Sequence, residues 1–209
     1  MKKIVVLGFI CLLFSCKDKE VLLPQANETI VSDVKNHSPI YFFFKTEEKD
    51  TLVEVNRKNS ISSTNWLFNI DKRLPLRKVI IEIKKLQAKK EESIHKSENS
   101  ENYFTYTNTK KKTMAFLSFT KVKFKLEKPD FDVVYFYFDR NDLVHFKDEV
   151  FSKNQLQMFL DKQTAPTSRI FFAYDKGMSF GKYIQYQFIV KHLIAPCGIN
   201  INSSKEFIY

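Results

Sequence analysis

Cysteine is scarce in this chain, and its positions matter more than its number. Of 209 residues only three are Cys, at positions 11, 16 and 197. Two of them fall in or beside an N-terminal apolar stretch, so Cys197 has no partner for a disulfide and the fold must stand on its core. Glycine is nearly as scarce, with four residues, which leaves little room for a Gly-rich loop that cradles phosphate. The longest apolar run, Ile4 to Phe14, is well short of the ~20 residues that span a bilayer. His37, His95, His145 and His192 show no metal-ligand spacing with one another or with Cys197, so neither metal nor cofactor is expected. Acids are the minority charge, 24 against 34 Lys plus Arg, for a net charge of +10.

What is present begins with the leader. Met1-Lys2-Lys3, the apolar run and then Leu13-Phe14-Ser15-Cys16-Lys17-Asp18 have the order of a secretory signal, with a basic start, a short apolar region and a small residue at its end. Leu13 to Cys16 resembles the bacterial lipobox, which implies cleavage after residue 15 and a diacylated Cys16 as the mature N-terminus. Ordinary secretory cleavage nearby and an uncleaved anchor are the alternatives. An exported chain rarely meets nucleic acid, so its basic excess points elsewhere. Cell-wall carboxylates, lipid phosphates, an acidic protein face, or solubility above a membrane are the readings that remain.

The full chain is 44% hydrophobic with 21 Phe, only two of them in the leader, enough for one large core or two small ones in a strand-rich α+β fold. Residues 16–38 are polar without periodicity and read as a tether, reaching on the order of 25 Å as a coil. Residues 39–128 and 129–209 read as two tandem α/β units. Trp66 to Val79 aligns without gaps on Ile170 to Tyr183. Each copy reads as a buried strand, an Asp-Lys turn (Asp71-Lys72, Asp175-Lys176) and a helix, with Leu76, Val79, Ile80, Ile83 and Leu86 on one face and Phe180, Tyr183, Ile184 and Phe188 on the other's. Pro75 and Ser179 open these helices in equivalent places.

Ile40–Phe44 with Leu52–Val55, and Val133–Phe138 with Leu143–Phe146, read as hairpins. Ser152 and Gln155 form a capping box for a further helix in the second unit. Residues 87–112, rich in Lys, Glu, Ser and Asn, read as a mobile surface insertion. Met114 to Leu126 and Ile199 to Tyr209 are the expected final strands, and the expected join between units that pack as a pseudo-twofold pair in a monomer.

Gly177-Met178-Ser179-Phe180-Gly181 fits the G-x-S-x-G pattern of a nucleophile elbow. An acid and then a histidine should follow the serine, yet no Asp or Glu lies between Ser179 and His192 and no His lies beyond; an N-cap accounts for Ser179. Asp71, Lys72, Asp175 and Lys176 are candidates for a paired binding site, although turn formation also explains them.

Ser168 to Gly181 and the helix after it, with the hairpin and helix of Val133 to Lys162, resemble the periplasmic domain of the ExbD/TolR biopolymer-transport family. The resemblance covers about residues 130–209, with a truncated echo in 40–126. It implies a mixed α/β domain that associates with envelope partners. The family's intramembrane Asp has no counterpart between Ile4 and Phe14. The leading expectation is therefore a non-enzymatic, lipid-anchored binding or assembly module for an envelope protein or cell-wall polymer. An accessory component of a biopolymer-transport complex, or a hydrolase using Ser179, are the other readings.

Overall fold

The computed structural model describes residues 19–48, 50–161, 169–194 and 201–209. Cys16 and Cys197 lie outside them, as does the start of the expected final strand at Ile199. Strands β1 (Gln25–Ala26), β2 (His37–Glu47), β3 (Asp50–Asn56) and β4 (Asn65–Ile70), helix α1 (Leu76–Glu91), and strands β5 (Asn102–Asn108) and β6 (Thr113–Ser118) build a first mixed sheet and its helix. The order is β1-β5-β4-β2-β3, with β6 antiparallel to β5. A second sheet follows, of β7 (Lys123–Lys125), β8 (Val134–Phe138), β9 (Leu143–Phe146), β10 (Glu149–Ser152), β11 (Ile170–Tyr174) and β12 (Ile201–Ile208), with helices α2 (Leu156–Asp161) and α3 (Phe180–Ile189). Its order is β10-β9-β8-β11-β12-β7. The fold is α+β, and no described helix is long and apolar enough to cross a membrane.

The two sheets share a plan. In each, a hairpin (β2/β3, β8/β9) is followed by a parallel strand (β4, β11), a helix (α1, α3) and a further parallel strand (β5, β12). In each, a short strand from the N-terminal side (β1, β7) lies parallel to that last strand. Strand β6 in the first half, and β10 with α2 in the second, have no counterpart. Leu76, Val79, Ile80, Ile83 and Leu86 are buried on α1, as are Phe180, Tyr183 and Ile184 on α3. Phe188 is half-buried and Tyr186 takes the deeper position. Leu156, Phe159 and Leu160 are buried on α2, behind the capping box of Ser152 and Gln155. Both inner sheet faces and all three helices feed one continuous core, in which each fully buried Phe contributes about 2–3 kcal/mol. At the end of α1 the buried Lys90 is held by Thr64 O at 3.1 Å and Asn102 Oδ1 at 3.0 Å, over the Trp66 ring.

With glycine so scarce, tight turns fall to other residues. Asn36, Glu48, Lys112, Asp142 and Lys147 all adopt positive φ, a backbone region that costs a side chain on the order of 1 kcal/mol.

Three expectations need correction. Within residues 16–38, the described part from Lys19 onward is not a tether. Leu22 N–H donates to Asp71 Oδ2 and Leu22 O accepts from Lys72 N–H. Strand β1 pairs with β5, Val31 bridges to Phe116, and Val34 is buried. Long-range backbone pairing orders a segment that has no periodicity of its own. Residues 87–112 are not a mobile insertion either, because α1 runs to Glu91 and β5 occupies 102–108 with Phe104, Thr105 and Tyr106 buried. Met114 to Leu126 is not one strand: β6 stays with the first sheet and β7 joins the second. The counterpart of β12 is therefore β5. The boundary between units falls between β6 and β7, before residue 128. The two end segments do pair, as β7 against β12 from Lys123–Lys205 to Lys125–Phe207, but both strands belong to the second sheet, so this pairing is not the expected join between the halves.

Candidate binding groove and the paired turns

The two Asp-Lys turns meet. Pro75 and Ser179 form a β-bridge, and the hydrogen bonds around it are reciprocal. Leu76 N–H donates to Met178 O and Phe180 N–H to Leu74 O, both at 2.8 Å. Arg77 N–H donates to Lys176 O at 3.0 Å and Gly181 N–H to Lys72 O at 2.9 Å. Each bond maps onto its mate by the 104-residue offset, which is a local pseudo-twofold axis between the halves. The join needs close approach: a Cβ on Gly181 would stand 3.0 Å from Lys72 Cβ and 3.2 Å from its carbonyl oxygen.

Within each turn the Asp is fully engaged. Asp71 accepts two bonds from the Arg73 guanidinium, at 2.9 and 2.7 Å, and one from Arg73 N–H at 3.0 Å. Asp175 accepts from Gly177 N–H at 2.7 Å and from a guanidinium at 2.7 and 2.8 Å, but that guanidinium is Arg140, from the β8–β9 turn. Gly177 stands where the first half has Arg73, and a Cβ there would overlap the Arg140 guanidinium. The same clamp is built from two different places in the chain. Burial alone would raise both carboxyls, but the arginines and backbone donors outweigh it and hold both below the usual carboxylate range. Asp71 and Asp175 therefore serve the turns, while Lys176 is exposed and Lys72 half-buried. Ser179 Oγ accepts from Lys182 N–H at 3.3 Å as the N-cap of α3, and among the described residues no histidine bonds to it.

These turns also position what lies beside them. Lys176 N–H holds Tyr209 O at 3.0 Å, setting the last residue on the outer face of the second sheet. There Tyr137 and Tyr209 rings lie 4.9 Å apart, Tyr135 Oη is 3.3 Å from Tyr209 Oη, and the His145 ring meets Tyr137 edge-on at 5.5 Å. With Phe131, Lys147 and Asp148 they line a groove of about 450 Å³. Phe131 is fully exposed, and His145 Nε2 has no hydrogen-bond partner, standing 3.6 Å from Asp139 Oδ2. Burial, then the nearby Asp175 and Asp139 charges, push the Tyr137 hydroxyl up; burial and Tyr135 do the same for Tyr209. Tyr137 and Tyr209 therefore stay neutral hydrogen-bonding groups at physiological pH.

On the matching face of the first sheet a segment of the chain itself runs alongside the rings, leaving a cleft of about 450 Å³ in which Tyr41 is 37% exposed. Tyr41 stands at the register position of Tyr137 and stacks on Phe43. The extended segment from Lys19 crosses beside them, with Val21 and Leu23 lining the same cleft. Leu22 O, bonded to Lys72 N–H, takes the place that Tyr209 O has on Lys176.

Reading the sequence for motifs misses Tyr135, Tyr137, His145 and Tyr209. The alternation of Tyr135 and Tyr137 with Phe136 and Phe138 puts polar-tipped rings on one face, and that is the available signal. Behind β12 lies a second polar cluster. Buried Glu206 accepts from Tyr183 Oη at 2.8 Å and Gln187 Nε2 at 2.9 Å, and Gln187 Nε2 also reaches Tyr174 Oη at 3.0 Å. Burial pushes Glu206 up to about 7 against these two donors. No group of three or more His, Cys, Asp or Glu among the described residues is arranged to hold a metal ion.

Compared with known proteins, the chain matches no protein-family model, no curated protein and no solved structure.

Proposed function

We propose that this chain is a non-enzymatic, lipid-anchored envelope protein that binds an extended segment of another envelope protein in the groove on its second sheet. The observation that carries the reading is a difference between two equivalent faces: a segment of the chain lines the cleft on one, and no described N-terminal residue lines the groove on the other. On the first sheet an extended stretch of the chain itself, from Lys19 to Leu23, lies beside Tyr41 and Phe43. On the second, Tyr135, Tyr137, His145 and Tyr209 line an open groove with Phe131 in solvent. An extended polypeptide with apolar side chains such as Val21 and Leu23 is what such a face accepts in this molecule, and the tyrosine hydroxyls supply polar contacts for its backbone. The reading also takes the chain as a monomer, with the two halves serving each other as partners across the paired turns. The resemblance to ExbD/TolR domains keeps an accessory place in a transport complex as the setting for such binding.

The test is photo-crosslinking in intact envelopes from a benzoylphenylalanine at Tyr137, with a second probe at Ile94 as control. A discrete protein adduct from position 137, lost when Tyr135→Ala and Tyr209→Ala are added, is the expected result. Adducts to cell-wall polymer would replace the partner class, and no adduct from 137 would remove the groove from the function.

A further inference from the structure

We propose that the domain sits directly on the lipid headgroups, with the cleft around Lys19 as its membrane-facing surface. This rests on the reading of Cys16 as the lipidated residue. The first described residue is Lys19, whose ammonium pairs with Glu54 and lies over the Phe43 ring. Three residues later Leu22 is bonded through both its N–H and its C=O to the Asp71-Lys72 turn. From Cys16 to Lys19 the chain spans at most about 11 Å in any conformation. A bilayer's polar headgroup zone is itself about 5–7 Å thick on each side. The lipidated cysteine therefore cannot be in the membrane while the surface around Lys19 stands well clear of it.

That surface is a cleft of about 780 Å³ lined by Phe43, Phe44, Lys45, Glu54 and Arg73 beside Lys19 and Glu20. Arg73 lies over the Phe44 ring and Lys45 pairs with Glu47 at 3.0 Å. Its cations, Lys19, Lys45 and Arg73, are balanced by Glu20, Glu47 and Glu54. Seating is set by the short anchor rather than by attraction to anionic lipid, so it should hold on zwitterionic and anionic membranes alike. Half-buried rings flanked by both charges suit the wet headgroup layer rather than the hydrocarbon.

The experiment uses the full, processed protein carrying Cys197→Ser, reconstituted in phosphatidylcholine vesicles with and without phosphatidylglycerol. A fluorophore is placed on Lys45→Cys or, as control, on the exposed Phe131→Cys, and quenching by a headgroup-nitroxide lipid is read. Quenching at 45 at least three-fold that at 131 in both lipid mixtures is expected. Inserting about twenty Gly/Ser residues between Asp18 and Lys19 should bring it down to the level at 131 while the protein still floats with the vesicles. Equal quenching at the two sites in floating protein overturns the seating and leaves the lipid anchor intact. Protein that fails to float and shows no added lipid mass overturns both.

Discussion

Glu206 lies in a core that favours its neutral form. In the folded protein it titrates at about 7 against an ordinary 4.5, so folding takes up a proton in that interval. The sign follows: the stability that Glu206 contributes is fully present below about pH 4.5 and is lost as pH rises through about 7. Glu206→Gln keeps the shape and a neutral group. It should flatten this slope and make the protein more stable than wild type at pH 8 by up to about 3 kcal/mol. Thermal melts from pH 5 to 8.5 check this, and parallel slopes for the two proteins would contradict it. Asp71 and Asp175 act with the opposite sign, since their lowered values give stability that is present above the ordinary Asp range and lost in acid.

The arginine clamps give a second test at this scale. Arg140→Ala leaves the buried Asp175 carboxylate with only backbone donors and should cost about 1–3 kcal/mol. The first half shows that an arginine two residues after the Asp does the same work. The double variant Arg140→Ala with Gly177→Arg should therefore recover part of the loss, whereas Gly177→Arg alone is destabilising because two guanidinium groups compete for one carboxylate. A double-mutant cycle by denaturant unfolding measures the coupling.

Among the elements, those with their own periodicity were legible in the sequence and those ordered by distant partners were not. Both hairpins and both strand-turn-helix copies carry apolar patterns with period 2 or 3.6, and both lie where the patterns put them. Strand β5 was hidden because Tyr103, Phe104, Thr105 and Tyr106 are flanked by Lys, Glu, Ser and Asn that dominate any composition window. Strand β1 has two residues and no pattern at all. Its order comes from Thr107 and Asn108, some eighty residues away. Of the candidate site, the Asp-Lys turns were visible as a repeat, but their meeting at Pro75 and Ser179 was not, because a pseudo-twofold contact between copies leaves no trace in either. The N-terminal segment is therefore an element of the fold. Removing residues 19–36 from a lipid-free chain should strip β1 from β5, leave Asp71 without its Leu22 donor, and lower the melting temperature by on the order of 10 °C. A melting temperature unchanged by that truncation would restore the tether reading.

Across the whole molecule, one core joins two sheets whose shared plan meets at reciprocal turns. Each half alone would leave a sheet edge and an inner face for another copy to cover; here the second half covers the first. Among the described residues no N-terminal segment lines the outer face of the second sheet, and the proposed binding groove lies there. If the halves are each other's partners, the surface that a single unit would use to dimerise is already spent at Pro75, Ser179 and the helices beside them. Sedimentation equilibrium of the lipid-free chain from Lys19 to Tyr209, at micromolar concentration, tests this most directly. The account predicts the mass of one copy, unchanged with concentration, and a stable dimer would contradict it.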